Sequence, residues 1–430
     1  MRHLYKTTAI IAGIILIELL KKLVDTIWIS MPFHTIFTSL QVVLLLWLAV
    51  SLVLDVTAFR GLPPKKAIRK STVIVLITLA IPELFTTFLL RHPEYIPNQV
   101  LFLFRDYYDL FEKDIIHFNP NCARYDHSLF YTLIPGQKFA FNNMEFQTDY
   151  RTNSKGLRDD ELSLEKPEII ILGDSYAMGW GVQQDETFAQ QLEKITGKRV
   201  LNAAISSYGT PRELKNLYRL DTSALQYLII QYCRNDGAEN TQFIRNNNEL
   251  HISSVDTYNK AVQFHYWNKP YFPGKHFITI GKWYIKIKFN DLKKKVFPRF
   301  TNPIDSTEIK LKEDAQNFID ILYNSSLDFG KFKVLVIEMN NFESLDDRFV
   351  KKANTIQHQY KYQQKFKTNL VFFQVAKLLK NEDFYVLDPH LRGSGHKKIA
   401  ALISHYLSSR ENYNGYRPSA SANKKLPSAW

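Results

Sequence analysis

The sequence predicts a three-layer α/β domain with an open parallel sheet, preceded by helices that cross a membrane. In the second part of the chain, short and almost continuously apolar runs alternate with stretches of helical character. That alternation is typical of parallel strands that are buried on both faces between layers of helices. In the first 91 residues, long uncharged stretches are separated by basic residues, as in segments that span a bilayer.

Residues 1–91 form the predicted membrane anchor. Residues 35–54 and 71–90 are each about as long as the twenty or so residues that cross a hydrocarbon core, and only Pro82 and Glu83 interrupt the second stretch. The loop between them carries five Arg or Lys residues and no acid after Asp55. Such a loop is expected in the cytoplasm, so the chain after residue 91 is expected on the outer side.

An additional segment at residues 7–29 has a short apolar core followed by a stripe of charges at Glu18, Lys21, Lys22 and Asp25. Their spacings of three and four place them on one helix face. Two interpretations stay open. The segment is a further span, about three in all, whose charged end reaches the interface, or the stripe docks against a partner membrane protein.

The α/β domain is predicted at residues 167–409. Its strands are expected at 168–172, 200–205, 224–231, 334–338 and 384–387. Helices are expected at 187–196, 211–220, 313–323, 366–380 and 396–407. Residues 92–166 form a lead-in with strand-like pieces at 138–150. Residues 237–308 form an insertion that either serves as a lid or faces the substrate, or packs as an ordinary loop. Residues 410–430 form a disordered tail.

The bulk composition excludes several classes of function. The net charge of +13 does not predict a nucleic-acid partner, because part of it flanks the apolar spans, where basic residues set orientation. Two cysteines, Cys122 and Cys233, exclude a disulfide-dense scaffold and a four-cysteine zinc site. We interpret them as unpaired, partly buried thiols. No Gly-rich phosphate loop and no HExxH motif occurs, and no cofactor or metal is expected.

Four positions near the carboxyl ends of predicted strands carry groups suited to acyl transfer. Ser175 follows the first strand in Gly-Asp-Ser, and Gly209 and Asn235 follow the second and third. His390, with Asp388 two residues before it, follows the last. Because the carboxyl ends of parallel strands meet at one edge of a sheet, we expect these groups to converge. A nucleophile, a base with a nearby carboxylate, and oxyanion donors are what acyl transfer requires.

These blocks resemble the SGNH (GDSL) hydrolase superfamily, over about residues 150–407. Residues 152–158 (TNSKGLR) also look like membrane-attached bacterial members. The resemblance implies the SGNH hydrolase fold, a flavodoxin-like α/β/α sandwich, with ester chemistry that needs no metal. It implies that Ser175 attacks and that His390 is the base. The N–H groups of Ser175 and Gly209 and the amide of Asn235 would form the oxyanion hole.

One spacing differs from most members of that superfamily. They carry two residues between the aspartate and the histidine, whereas only Pro389 separates Asp388 from His390. This shorter spacing is similar to that of the alginate-type O-acetyltransferases. Whether Asp388 reaches the imidazole stays open, since in several members a backbone carbonyl orients the ring instead.

The expected function is ester hydrolysis or O-acyl transfer, of acetyl above all, through an acyl-enzyme on Ser175. The expected substrate is an acylated carbohydrate such as an envelope glycan, and the Asp-x-His spacing and the multispan anchor favour transfer. The protein is expected in the bacterial cytoplasmic membrane and its lipid bilayer, with the catalytic domain outside the cytoplasm. Two alternatives stay open: a catalytically silent glycan-binding or scaffolding subunit of a membrane acyltransferase assembly, and a lipid-directed esterase.

Overall fold

The computed structural model describes residues 64–267, 269–296 and 306–415, together with Gly13. The predicted spans at 7–29 and 35–54, the polar stripe between residues 18 and 25, and the tail beyond residue 415 lie outside the described residues. The first described helix, α1 (Pro64–Arg91), contains the predicted span at 71–90. In the part of the chain that the structure describes, no helix is both long and apolar enough to cross a membrane.

The lead-in after α1 is folded. Helix α2 (Asn98–Tyr107) continues directly into a π-helical turn at Tyr108–Glu112. Two antiparallel hairpins follow, one of β1 (Ala123–Asp126) with β2 (Phe130–Leu133) and one of β3 (Lys138–Asn143) with β4 (Phe146–Arg151). The second hairpin confirms the strand-like pieces predicted at 138–150.

A five-stranded parallel sheet forms the centre of the molecule. Its strands are β5 (Ile169–Leu172), β6 (Val200–Asn202), β7 (Tyr227–Tyr232), β8 (Lys333–Glu338) and β9 (Leu370–Phe373). They lie in the order β6-β5-β7-β8-β9, and every neighbouring pair is parallel. Numbered along the chain within this sheet the order is 2-1-3-4-5, the order of flavodoxin-like doubly wound sheets. The predicted parallel sheet is confirmed.

Helices cover both faces of the sheet. The helices after α2 are α3 (Ser175–Met178), α4 (Phe188–Thr196), α5 (Thr210–Leu217), α6 (Asp236–Arg245), α7 (Val255–Trp267), α8 (Lys275–Val296), α9 (Ser306–Asn324), α10 (Arg348–Gln357), α11 (Tyr360–Phe366) and α12 (Gly393–Gly415). Of these, α8 packs mainly against α1 and α2. Alternate strand residues enter opposite cores: Ile170 joins the core that contains α9 and α10, whereas Ile171 joins the one that contains α4 and α12. Both residues are fully buried, so the architecture is an α/β sandwich with three layers.

The fifth strand is not where the sequence predicts it. Residues 370–373 pair with β8, although the helix was predicted over 366–380, and the predicted strand at 384–387 contributes only one isolated bridge, from Phe384 to Leu391. Helix α11 ends at Phe366 because Lys367 adopts a left-handed φ of 49°. The backbone N–H groups of residues 386–388 bond to a side chain instead of a strand.

The predicted insertion at 237–308 and the first residues of the predicted tail both contain helix. The insertion is mostly helical in its described part, with most of α6 and all of α7 and α8. Helix α12 extends to Gly415, beyond the predicted helix end at residue 407 and into the stretch predicted to be disordered. The amphipathic periodicity of these segments is too weak to predict helices from the sequence. Packing against other elements stabilises the helices instead.

Glu83 attaches α8 to α1. Its carboxylate accepts the backbone N–H groups of His276 (3.3 Å) and Phe277 (2.9 Å), and the hydroxyl of Tyr271 (3.1 Å). The first N–H groups of a helix have no partner within the helix, so Glu83 serves as a cap supplied by another element. The acid that interrupts the apolar stretch of residues 71–90 is thus a buried contact between two helices.

We expect Glu83→Ala to loosen the first turn of α8, because two backbone donors lose their acceptor. Loss of a helix cap costs about 1 kcal/mol, so amide hydrogen exchange in a peptide containing His276 and Phe277 should accelerate several-fold. Glu83→Gln keeps one carbonyl acceptor and should retain more protection. Equal exchange in the alanine variant and the wild type would contradict this capping role.

Candidate active site

Ser175 lies at the point where the chain connections leave the sheet in opposite directions, between β5 and β7. Gly173, just after β5, has a φ of +152°, and a Cβ there would lie 2.6 Å from Oε1 of Gln231. The same Oε1 accepts the N–H groups of Asp174 (3.0 Å) and Ala177 (3.2 Å). The glycine thus permits close approach to β7, and Gln231 fixes the turn that presents the serine.

Ser175, His390 and Asp388 form a continuous hydrogen-bonded series. Nε2 of His390 lies 2.7 Å from Oγ of Ser175, and Nδ1 of His390 lies 2.5 Å from Oδ1 of Asp388. A carboxylate only accepts, so Nδ1 carries the proton and Nε2 is left to accept the serine hydroxyl. The short Asp-x-His spacing therefore allows the aspartate to reach the imidazole. Asp388 is fully buried, and the other two side chains are nearly so.

The Asp388 carboxylate has further donors that the sequence did not indicate. Its Oδ2 accepts the hydroxyl of Tyr108 (2.7 Å) and the indole N–H of Trp180 (3.0 Å). Burial alone would raise the pKa of Asp388, but His390, the Lys113 ammonium and the Tyr108 hydroxyl together hold that pKa well below its ordinary value. The carboxylate therefore stays ionised over the neutral range.

Two aromatic side chains hold the His390 ring. The Trp180 ring stacks on it with centroids 4.8 Å apart and an interplanar angle of 16°, and the Tyr176 ring lies 4.7 Å away on a tilt of 36°. The Tyr176 hydroxyl donates to the carbonyl of Pro389 (3.1 Å). A base held in this way keeps the orientation that proton transfer needs.

Glu145, between β3 and β4, holds the loop that carries His390. Its carboxylate accepts the backbone N–H groups of Val386 (2.8 Å), Leu387 (2.7 Å) and Asp388 (2.7 Å). Burial raises the pKa of Glu145 from its ordinary value, although these three hydrogen bonds oppose the rise. One side chain thus replaces the strand that was predicted here, and it comes from the lead-in.

Arg158, the last residue of the TNSKGLR segment, supports the turn after the nucleophile. Its buried guanidinium donates to the carbonyls of Met178 (3.2 Å), Gly179 and Val182 (2.6 Å). Those residues flank Trp180, which contacts both His390 and Asp388. The TNSKGLR segment therefore supports the turn after Ser175 from outside the cleft, whose lining contains none of its residues.

The predicted oxyanion donors are not all brought together. Asn235 lines the cleft, and one N–H of its amide donates to Oδ2 of Asp174 (3.1 Å), which leaves the second N–H available. Gly209 does not line the cleft, and it packs against the Glu239 side chain, whose Cβ would lie 2.9 Å from a Cβ at residue 209. Ser207 lines the cleft instead, with a left-handed φ of 59° that favours glycine. No sequence signal marks it, because the residue is a serine.

The cleft around Ser175 has a volume of about 450 Å³, and its lining combines polar groups with apolar surface. The polar residues are Asp109, Lys113, His117, Ser206, Ser207, Arg234, Asn235, Asn340, Asn341 and Ser344. Lys113 bonds to Asp109 (3.0 Å) and lies 5.4 Å from the centroid of the Trp180 ring. Among the described residues, one wall comes from the lead-in, whereas the segment 237–308, predicted to face the substrate, supplies none of the lining.

Within the described ranges, no group of three His, Cys, Asp or Glu side chains is placed to hold a metal ion. Both cysteines are unpaired and buried, in agreement with the sequence-based interpretation. Cys233 lies at the cleft, where burial raises the pKa of its thiol well above the ordinary value. The thiol is therefore neutral at physiological pH.

No family model and no curated protein sequence matches the chain. A two-domain esterase active on acetylated mannans, crystallised with mannopentaose, is 13% identical over 62% of this chain and 54% of its own, with a TM-score of 0.32. A carbohydrate esterase with divergent catalytic and non-catalytic binding functions is 11% identical over 57% and 65%, with a TM-score of 0.31. An acetyl xylan esterase from the rumen bacterium Butyrivibrio proteoclasticus is 13% identical over 57% and 64%, with a TM-score of 0.30. The chain spans between about half and two thirds of the length of these structures.

We expect Asp388→Asn to slow the reaction of Ser175 with a fluorophosphonate by about a thousandfold or more, because the amide cannot stabilise the imidazolium that forms. Tyr108→Phe removes one donor to Asp388 and should slow labelling about ten- to a hundredfold, since a hydrogen bond to a charged group contributes about 1.5–3 kcal/mol. The rate of labelling in purified full-length protein measures both. Asp149→Asn, an exposed substitution on β4, is the matched control.

The ionisation of Asp388 also gives a pH dependence of stability. A carboxylate whose folded pKa is depressed stabilises the fold above its unfolded pKa of about 4 and loses that contribution as the pH falls further. The difference in thermal midpoint between wild type and Asp388→Asn should therefore be largest at neutral pH and shrink below about pH 4. A difference that stays constant from pH 7 to pH 3 would contradict an ionised Asp388.

Proposed function

We propose that the protein is a serine-dependent esterase or O-acyltransferase that acts on an acylated carbohydrate. The series Ser175–His390–Asp388 carries this proposal, because the 2.7 Å between Oγ and Nε2 lies within reach of direct proton transfer. A buried, ionised aspartate behind the histidine is the arrangement that stabilises the imidazolium formed in that step.

In the first half of the reaction, Oγ of Ser175 attacks the ester carbonyl carbon while Nε2 of His390 takes the hydroxyl proton. The tetrahedral intermediate then collapses, the bond to the alcohol oxygen breaks, and His390 gives the proton to that oxygen. The alcohol leaves and the acyl group remains on Ser175. Asp388 stays ionised throughout and faces the charged imidazolium at Nδ1.

In the second half, His390 takes a proton from an incoming hydroxyl, and the oxygen of that hydroxyl attacks the acyl-enzyme. Collapse returns the proton from His390 to Oγ of Ser175. With water as the acceptor the product is a free acid, and with a sugar hydroxyl it is a new ester. Both outcomes use the same residues, so the choice depends on whether the cleft holds a sugar and excludes water.

The negative charge of the tetrahedral intermediate needs fixed donors. We propose the backbone N–H groups of Ser175 and Ser207 and the second amide N–H of Asn235, because these residues line the cleft. Gly209 is not included, since it does not line the cleft. Loss of one such donor typically costs about a hundred- to a thousandfold in rate.

The cleft favours a short acyl group on a polyhydroxylated alcohol. Its lining carries hydroxyl, amide and charged side chains, and its volume of about 450 Å³ lies toward the lower end of the range for small-ligand sites, so a short acyl group leaves more room for the alcohol part. Acetyl is the smallest common acyl group that fits this description. The same lining offers hydrogen-bond partners for sugar hydroxyls, which would otherwise lose theirs on leaving water.

We also propose membership in the SGNH superfamily. The four sequence blocks support it, and so does the strand order of the sheet. Ser175, Asn235 and His390 line one cleft at the switch point of that sheet, where such folds bind their ligands. Ser207 in place of Gly209 is the departure from the expected set.

Attachment to a membrane through α1, with the cleft on the outer side, is a further proposal. Ile81, Leu84, Phe85 and Phe88 fall at spacings of three and four on one face of α1, and between 47% and 68% of each is exposed. The opposite face, with Glu83 and Thr86, is buried. A contiguous exposed apolar face is typical of a surface that meets lipid or another apolar partner.

We expect Ser175→Ala to abolish fluorophosphonate labelling and to reduce the release of acetate from an acetylated oligosaccharide by at least about a thousandfold. Both measurements use the purified full-length protein. Wild-type protein that folds but is not labelled at Ser175 would favour the catalytically silent glycan-binding subunit over the enzyme.

Hydrolysis and transfer are separated by adding an acceptor. Wild-type protein is incubated with an acetyl ester donor, with and without an unacetylated oligosaccharide, and the products are identified by mass spectrometry. We expect a new ester on the oligosaccharide if the protein is a transferase. Free acid as the sole product in both reactions would leave only the hydrolase.

The membrane proposal is tested on full-length protein in vesicles that contain brominated lipid. A polarity-sensitive fluorophore is attached at Phe85→Cys, and its quenching is compared with that at Tyr360→Cys, an 82% exposed position on α11. The native cysteines are buried and should not react. We expect strong quenching at residue 85 and little at residue 360; weak quenching at both would refute attachment through α1.

A further inference from the structure

A second pocket shares a wall with the catalytic cleft. It has a volume of about 230 Å³, and Asp109, Asn341 and Pro389 line both spaces. We name it the side pocket; its own walls include Phe102, Arg105, Asp106, Phe342, Glu343 and Tyr385. Pro389 is the residue between Asp388 and His390 in the chain, so the side pocket begins directly beside the base.

The chemistry decides which part of a substrate faces this pocket. His390 must hand its proton to the alcohol oxygen of the ester, so the alcohol part of the substrate lies next to the imidazole. Pro389, the residue before His390 in the chain, lines both the cleft and the side pocket. A substituent that extends the alcohol part past Pro389 therefore enters the side pocket.

The walls of the side pocket combine aromatic rings with charges. Phe102 and Phe342 have 44% and 41% of their surfaces exposed, so their rings are open to a ligand. The hydroxyl of Tyr385 donates to the carbonyl of Gly181 (2.5 Å), and this bond holds the third ring in place. Aromatic surface with a few polar groups is the usual composition of a site that orients a small ligand.

Charged side chains connect α2, on one side of the side pocket, with the segments around residues 343 and 386 on the other. Nε of Arg105, on α2, donates to the carbonyl of Val386 (2.7 Å), and its guanidinium also pairs with the Glu343 carboxylate. Asp106 accepts the indole N–H of Trp283 (3.0 Å). These contacts fix the side chains before any ligand arrives. A sugar ring presents apolar C–H faces and a rim of hydroxyls, which suits fixed aromatic rings beside charged hydrogen-bonding groups.

We propose that the side pocket is a subsite for the sugar unit next to the esterified one, on the alcohol side of the ester. The proposal rests on the proposed function and specifies its substrate class: an acyl group carried on an oligosaccharide or polysaccharide chain. The protein then prefers such an ester to the same ester on a single sugar. Phe102 and Phe342 are the positions that set this preference.

The test compares two sizes of substrate. Chemically acetylated pentasaccharides of several sugars and the acetylated methyl glycosides of the same sugars are assayed for acetate release by full-length protein. The preference is the ratio of the two kcat/KM values for one sugar. We expect the wild type to prefer at least one pentasaccharide, and Phe342→Ala and Phe102→Ala to lower that preference about tenfold, which corresponds to about 1.4 kcal/mol.

Phe264→Ala is the matched control, because Phe264 is 64% exposed on α7 and borders neither space. It should leave the preference at the wild-type value. Equal labelling of Ser175 by a fluorophosphonate shows that the reacting groups are intact in each variant. A wild type without preference for any pentasaccharide overturns the subsite, as does an unchanged preference in both phenylalanine variants.

A binding measurement separates failure of the subsite from failure of the proposed function. The acetylated pentasaccharides are titrated into Ser175→Ala protein, with and without Phe342→Ala, and the dissociation constants are measured by calorimetry. If the wild type releases no acetate, the proposed function fails, and weaker binding on removal of the Phe342 ring still identifies the subsite. Equal dissociation constants with and without the ring overturn the subsite.

Discussion

The buried carboxylate of Asp388 receives hydrogen bonds from parts of the chain that are far apart in sequence. Tyr108 reaches it from the lead-in, Trp180 from the loop after the nucleophile, and His390 from its own loop. An ionised group at this depth costs several kcal/mol unless it is paired and fully bonded. The Asp388 carboxylate therefore holds each of these donors in place while they stabilise its charge. The orientation of the His390 ring depends on these contacts.

The convergence of Ser175 and Asn235 was predictable because it depends on the strand topology, which apolar runs in the sequence indicate. Strands β5, β7 and β8 are short, apolar and separated by helices, so their carboxyl ends had to share one edge of a sheet. His390 reaches that edge for a different reason from the predicted one. Its loop is held by Glu145 and not by a strand.

Other parts of the site could not be predicted from the sequence, because they depend on contacts between segments that are distant along the chain. Residues 370–373 and 384–387 are both short apolar runs, and periodicity does not tell a strand from another buried segment. Ser207 adopts a left-handed backbone conformation. A glycine at this position would have indicated such a conformation in the sequence, but a serine does not. Tyr108 lies in a π-helical turn, and nothing in its neighbourhood along the chain indicates a bond to a carboxylate 280 residues away.

The attachment of α8 to Glu83 has a mechanical consequence for the cleft. Helix α8 starts on α1 through that carboxylate, its Trp283 bonds to Asp106 on α2, and α2 leads into the turn that carries Tyr108 and contacts Asp388. An unbroken series of bonded side chains therefore runs from α1 to the catalytic histidine loop. These bonds give α1 and the cleft wall that carries His390 one relative orientation, so a displacement of α1 is transmitted to that wall.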